Sequence, residues 1–531
     1  MKKLPQFICY FLLMSGLVAG LFLVSCSPVS KQHEGEISKN QEPIVKTTYG
    51  SISGSIDDGV FSFRGIPYAK AERFMPPQAP DTWEGVHEHT KFGPIAMQVN
   101  SWSPESAMDE RKLFTVNVWT RGINDGKKRP VMFWLHGGGF AVGASDDPIT
   151  DGKMLAQKGD IVLVSVNHRL NILGFLDLSA FGDQYAQSAN VGMLDVVAAL
   201  NWVNKNISNF GGDPANVTIL GESGGGGKVG TLLSMPAAKG LFHKAIIQSG
   251  TLLNVMNKEK STQVGRALVE TLGISKENIN QLNNISYKQL VEAGNKALEK
   301  TVGLRTPGST TMFGFGPVPD GVNLLQQPFT PDFANISNHI PLLIGTTFNE
   351  LVKVAYAEKN LTLEEAKKRL TKTYGDKTDT YIKLFEKAYP NYTPQDLLSI
   401  DTLFRPNTII TADARSAKKN APVYSYLLTW KSTVEDNTKG SFHGLDIPLA
   451  FKNIELGKHW TGTSDDAYKL ADKMSSAWIN FARTGNPNDK SLPAWKPYSR
   501  ENGETMIFDK EPGVLNNHDR ELMQLIKSVR K

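Results

Sequence analysis

Short, nearly unbroken apolar runs punctuate the chain at 131–135 (Val-Met-Phe-Trp-Leu), 161–166, 217–220 (Val-Thr-Ile-Leu), 245–247, 341–344 and 423–430. Runs of this length, rich in β-branched residues and closed by glycine or polar turns, predict strands buried on both faces. Such strands belong to a large, mostly parallel central sheet flanked by helices, an α/β architecture. Between them Val191, Leu194, Ala198 and Trp202 recur at helical spacing, as do Leu470, Met474, Trp478 and Phe481, and both sets predict amphipathic helices. Segments 253–335 and 351–400 are more polar and helical in pattern, and are expected to form inserted helical walls over the sheet edge. No repeat and no dividing linker follows Tyr49, so residues 46–531 are expected to form a single domain. In open sheets of this kind chemistry gathers at the C-terminal strand ends.

The N-terminus follows a different pattern. Lys2 and Lys3 precede an apolar run from Phe7 to Val24 that closes on Leu23-Val24-Ser25-Cys26. A basic start, an apolar middle and a small-residue end make an export signal. The ending resembles the bacterial lipoprotein signal, which is cut before its cysteine. That resemblance implies a signal peptide over 1–25, lipid on Cys26 and a polar tether over 26–45. The product would be an exported lipoprotein, anchored at the periplasmic or cell-surface face of a bacterial envelope. The alternative is an uncleaved anchor, since the run is just long enough to span; Ser15, Gly16 and Gly20 weaken that reading.

Composition narrows the classes. Of 531 residues 40% are hydrophobic and 21% charged, which excludes disordered and fibrous chains. A net charge of +5 does not argue for nucleic acid. The two cysteines, Cys9 and Cys26, both lie at the N-terminus. The body therefore has no disulfide, thiolate zinc site or cysteine nucleophile.

The strand at 217–220 runs into Gly221-Glu222-Ser223-Gly224-Gly225. This is the G-x-S-x-G pattern of a strand-to-helix turn that projects a nucleophilic serine, with small neighbours to avoid clashes. A phosphate loop is the rival, because Gly227-Lys228 follow. It would require glycine at 222 and a hydroxyl at 229, where Glu222 and Val229 stand. At the end of the strand at 131–135 lies His136-Gly137-Gly138-Gly139-Phe140, whose glycines let amides approach a substrate. With the serine turn downstream, Gly138, Gly139 and Gly224 become the candidate oxyanion donors. Chain order in such hydrolases is serine, acid, histidine. His443 follows a strand and sits in a glycine-flanked loop, whereas His459 and His518 lack that setting. Glu350 ends a strand and its exit loop; Asp320, in an Asp-Gly turn, and Asp401 are the rivals.

Taken together these motifs resemble the type-B carboxylesterases, the cholinesterase-like α/β-hydrolases, from about Thr47 to the end. Phe63-Arg64-Gly65-Ile66-Pro67-Tyr68-Ala69, Asn117-Val118-Trp119, the His136 to Phe140 segment, Phe210-Gly211-Gly212-Asp213-Pro214, Gly221-Glu222-Ser223 and Gln248-Ser249-Gly250 occur in the family's order. The resemblance implies an α/β-hydrolase fold and a triad of Ser223, Glu350 and His443. It implies hydrolysis of a small-molecule carboxylic ester without cofactor or metal, and leaves oligomeric state open. Ser249 and Asp446 match positions that order the site, and Glu222 adds negative charge beside the nucleophile. Phe140, Phe313 and Phe315 are candidates for an acyl pocket or, equally, for core packing. The other readings are a non-catalytic adhesion module of the same family, or an esterase specialised for glycan or phenolic esters.

The chain departs from the family in places. Gly224 stands where alanine is usual and Lys228 where a hydroxyl is usual; the lysine would reach solvent or a carboxylate, or mark a bacterial subgroup. Ala96 and Leu113 occupy the positions of an early disulfide. Arg111 replaces an acidic residue, which puts an ion pair near the N-terminus in doubt.

Overall fold

The computed structural model describes residues 42–99, 107–303, 314–328 and 335–529. The export signal, Cys26, most of the tether and Phe313 lie outside the described residues. The strands in chain order are β1 (Ile44–Lys46), β2 (Ser51–Ser53), β3 (Ser55–Asp57), β4 (Val60–Pro67), β5 (Val86–Glu88), β6 (Thr115–Thr120) and β7 (Arg129–Leu135). They continue with β8 (Val162–Val166), β9 (Gly212–Glu222), β10 (Lys244–Gln248), β11 (Leu342–Thr347), β12 (Val423–Leu428), β13 (Glu504–Phe508) and β14 (Gly513–Asn516).

An 11-stranded sheet runs in the order β14-β13-β12-β11-β10-β9-β7-β8-β6-β4-β3, and β1, β2 and β5 form a separate small sheet. From β8 to β13 neighbouring strands are parallel; both margins are antiparallel. All six apolar runs read from the sequence are strands of this parallel block. β7, β8, β10, β11 and β12 are buried along their whole length, as expected for strands covered on both faces. The margins β3, β4, β6, β13 and β14 were not among the predicted strands.

One core cluster fills the face carrying helices Val191–Asn206 and Gly224–Leu232, with Phe133, Val164 and Ile219. A second fills the opposite face, where helix Asp465–Thr484 packs on Trp134, Leu220 and Tyr426. In that helix Leu470, Met474, Trp478 and Phe481 are all buried as predicted. The stripe predicted on the other long helix holds in part, with Val191 and Trp202 buried. Leu194 and Ala198 are only partly buried, whereas Met193, Val196, Leu200 and Val203 are fully enclosed. This helix is apolar almost all round, so its stripe does not select a face. Its buried Asp195 takes two guanidinium bonds from Arg169, at 2.7 and 2.8 Å.

The polar segments do form helical walls: Lys258–Thr271 and Tyr287–Val302 on one side, Leu363–Tyr374 and Thr378–Ala388 on the other. The latter enclose a third cluster around Tyr381 and Phe385, closed by the C-terminal helix Arg520–Val529. Ala96 and Leu113 are both buried in the first cluster, so apolar packing holds the two positions for which the resemblance implied a crosslink. The doubted ion pair has a substitute. Glu110, next to Arg111, takes Nε and Nη2 of Arg73 at 2.8–3.1 Å.

Candidate active site

Five adjacent parallel strands deliver the candidate residues at their C-terminal ends. β9 ends at Glu222, and Ser223 follows with φ 56° and ψ −122° before helix Gly224–Leu232 begins. A positive φ on serine is costly backbone, and here two bonds hold it. The Ser223 amide donates to the Gln248 carbonyl at the end of β10, and its own carbonyl accepts from Gly227. Close packing requires glycine behind the turn: a Cβ at Gly225 would lie 2.0 Å from the Leu135 carbonyl at the end of β7.

Glu350 follows β11, and its backbone bridges to Phe442 beside β12's exit loop. The His443 amide donates to the Glu350 carbonyl at 3.1 Å. Glu350 Oε2 lies 2.5 Å from His443 Nδ1, while Oε1 accepts the Thr347 amide at 2.8 Å. On the far side of the ring, Nε2 lies 3.3 Å from Glu222 Oε1. The Ser223 hydroxyl makes no hydrogen bond to His443. Phe404 stacks on the imidazole, centroids 5.3 Å apart and planes 14° from parallel.

The rival acids and histidines have other work. Asp320 accepts the amides of Val322, Asn323 and Leu324 in a turn. Asp401 receives the amides of Leu403 and Arg405 at the start of helix Phe404–Ser416. His518 lies against Tyr389 and Asp519, and His459 sits on the short helix Lys458–Thr461.

Burial works to lower the His443 pKa, but the carboxylates of Glu222 and Glu350 outweigh it and hold the imidazole up at about 10. Burial pushes Glu222 up to about 8, against the pull of His443. A proton on Glu222 removes one of the two carboxylates facing the ring, so the two groups titrate as a pair. Asp446 is buried, pushed up to about 6, and receives the Tyr426 hydroxyl at 2.6 Å. The Ser249 hydroxyl is buried and unpartnered; its backbone, at φ 47°, donates to Gly345.

The glycine loop after β7 is close to the serine turn. Gly138 and Gly139 have φ values of 82° and 64°, and a Cβ placed on Gly224 would fall 2.0 Å from the Gly139 carbonyl oxygen. Their amides have no acceptor among the described residues. Phe140 is 1% exposed and packs edge-on against Phe175, and Phe315, 5% exposed, lies in the same core cluster. Phe404 was missed by sequence reading: it lies between the acid and the histidine in the chain, and no local signal marks its stacking.

A serine on a strained strand-to-helix turn, a carboxylate–imidazole pair from two neighbouring strand ends and this sheet order together define a serine hydrolase of the α/β-hydrolase fold. Comparison with known proteins agrees. The carboxylesterase family matches residues 41–525. The chain is 36% identical to the para-nitrobenzyl esterase of Bacillus subtilis, covering 91% of this chain and 98% of that one. It is 30% identical to the phenmedipham hydrolase of Pseudarthrobacter oxydans, covering 88% and 95%. A solved Clostridium hathewayi esterase that can hydrolyse aliphatic aromatic polyesters superposes with a TM-score of 0.83 at 35% identity, over 93% of this chain and 99% of that one. The chain belongs to the carboxylesterase family and is a carboxylic ester hydrolase.

Proposed function

We propose that Ser223, Glu350 and His443 are its catalytic triad and that the amides of Gly138, Gly139 and Gly224 form the oxyanion hole. His443, oriented through Nδ1 by Glu350, takes the Ser223 proton on Nε2 as the oxygen attacks the ester carbonyl. The carbonyl oxygen becomes an anion facing the three amides; the Gly224 amide adds the positive end of its helix. His443 then gives its proton to the leaving alcohol. Water, activated by the same imidazole, releases the acid and restores the serine. The observation that carries this reading is the 2.5 Å contact between Glu350 Oε2 and His443 Nδ1 beside the serine turn. Ser223→Ala is expected to abolish turnover of a short p-nitrophenyl ester and labelling by a fluorophosphonate. Retained turnover sinks the assignment.

The substrate is proposed to be a small-molecule carboxylic ester, and esters of graded acyl and alcohol size identify which. The Leu23-Val24-Ser25-Cys26 ending supports export as a lipoprotein cut before Cys26. In a bacterial host, radiolabelled palmitate is expected on the full-length chain and not on Cys26→Ser. Equal labelling of both refutes lipidation at Cys26.

A further inference from the structure

Lys228 is fully buried beneath the glycine loop, reaching neither solvent nor a carboxylate. Its Nζ donates to the carbonyl of His136 at 2.9 Å and to that of Gly139 at 3.0 Å, and sits 5.5 Å from the centre of the Phe140 ring. Burial pushes the Lys228 amine down to about 7, against the pull of Glu222, and an apolar side chain of the same length would fill the space without that cost. What the amine adds is a pair of directed bonds to two backbone carbonyls.

Those carbonyls stand at the two ends of the loop. Between them the Gly137 carbonyl lies 2.8 Å from His136 Nδ1, and that of Gly138 accepts from Ala141 and Val142. Every carbonyl from 136 to 139 therefore has a partner. In a trans peptide the N–H points opposite to the C=O, so fixing each carbonyl fixes the amide that shares its plane. The planes carrying the Gly138 and Gly139 amides are bracketed by the two that Lys228 grips. The imidazoles of His136 and His168 stack 5.1 Å apart beside the lysine. Burial and its charge keep both neutral.

Position 224 fits the same arrangement. The carbonyl that Lys228 holds is the one a Cβ on residue 224 would strike, 2.0 Å away. Glycine at 224 lets the loop come down onto the turn, and the lysine ties it there.

We propose that Lys228 is a positioning residue for the ester hydrolysis, holding the 136–139 backbone against Gly224 so that the oxyanion-binding amides keep one arrangement. The inference rests on the oxyanion-hole reading above.

The test uses the whole chain with three changes: Lys228→Met, Gly224→Ala, and the pair Gly224→Ala with Lys228→Ser. Lys228→Met is expected to lower kcat on the order of 10²-fold, as for loss of one oxyanion donor, with little change in KM. Affinity for an alkyl trifluoromethyl ketone, whose serine adduct carries the oxyanion, is expected to fall in step with kcat. Unchanged kcat and ketone affinity overturn the proposal, as does a loss confined to KM. If Lys228→Met does not fold, the other two variants decide. Gly224→Ala alone is expected to lose kcat, and adding Lys228→Ser to recover part of it; a pair no better than the single change overturns the proposal. Turnover retained by Ser223→Ala would instead refute the triad. Loss there, with Lys228→Met unaffected, refutes the role of Lys228 alone.

Discussion

Glu222 Oε1 lies 3.3 Å from His443 Nε2, on the side of the imidazole opposite Glu350. The ring is thus flanked by two carboxylates, and each favours its protonated form. Glu222→Gln removes one of them. The imidazole should then release its proton at lower pH, so the acid limb of the kcat/KM profile moves to lower pH, while plateau kcat falls because the imidazolium formed during attack loses a partner. A pH series on a p-nitrophenyl ester reads both; an acid limb that stays put or moves up contradicts the relationship.

Glu350 holds Nδ1, and through it the ring's orientation and, in the neutral imidazole, the tautomer that leaves Nε2 free to accept a proton. Glu350→Gln keeps the shape and removes that control. Loss of kcat on the order of 10⁴-fold is expected, from the behaviour of the equivalent change in serine hydrolases, with the fold intact by circular dichroism. A loss below tenfold would mean that another group orients the ring.

Arg405 and Asp519 form a buried pair, joined at 2.7 and 3.0 Å and 3% and 2% exposed. Burial alone would raise the Asp519 pKa, but Arg405 outweighs it and holds the carboxyl well below the usual range. The folded value lies under the unfolded one, near 3.9. The pair's stabilisation is therefore complete above about pH 4 and fades as pH falls through the folded value. Asp519→Asn leaves a buried guanidinium and should cost about 3–5 kcal/mol at pH 7. Urea unfolding at neutral pH and near pH 3 should show the difference between wild type and variant narrowing in acid.

Gly225→Ala would put a methyl 2.0 Å from the Leu135 carbonyl, a backbone atom with nowhere to move inside the sheet. Soluble yield is expected to collapse, and what remains should lack ester turnover. A well-folded, active Gly225→Ala protein would show that β7 and the serine turn are less tightly apposed.

The parallel strands were legible because burial on both faces writes them as unbroken apolar runs. The margins were not. β3 and β14 carry exposed residues, β13 opens on the polar pair Glu504-Thr505, and β6 (Thr-Val-Asn-Val-Trp-Thr) places polar residues in a fully buried strand, where Asn117 bonds Ser145 and Ser165. The residues proposed as the triad, Ser223, Glu350 and His443, are suggested by chain order and turn chemistry, since each such role needs a particular local backbone. Phe404 and Lys228 are not. What defines them is a partner reached through the fold: an imidazole for one, two carbonyls of a distant loop for the other. No rule of local sequence expects a lysine to end on backbone oxygens in the interior. The helix at Val191–Asn206 was legible as a helix but only partly in its buried face, being apolar on too many sides to reveal its orientation.

Ala96 and Leu113 pack in the apolar core, and residues 27–531 contain no cysteine. The folded body therefore matures by packing alone, with no oxidation step to wait for and no mispaired thiols to resolve. Its refolding yield should be the same with or without dithiothreitol. A chain lacking its first 26 residues should reach the active form in a reducing cytosol as readily as beyond a membrane.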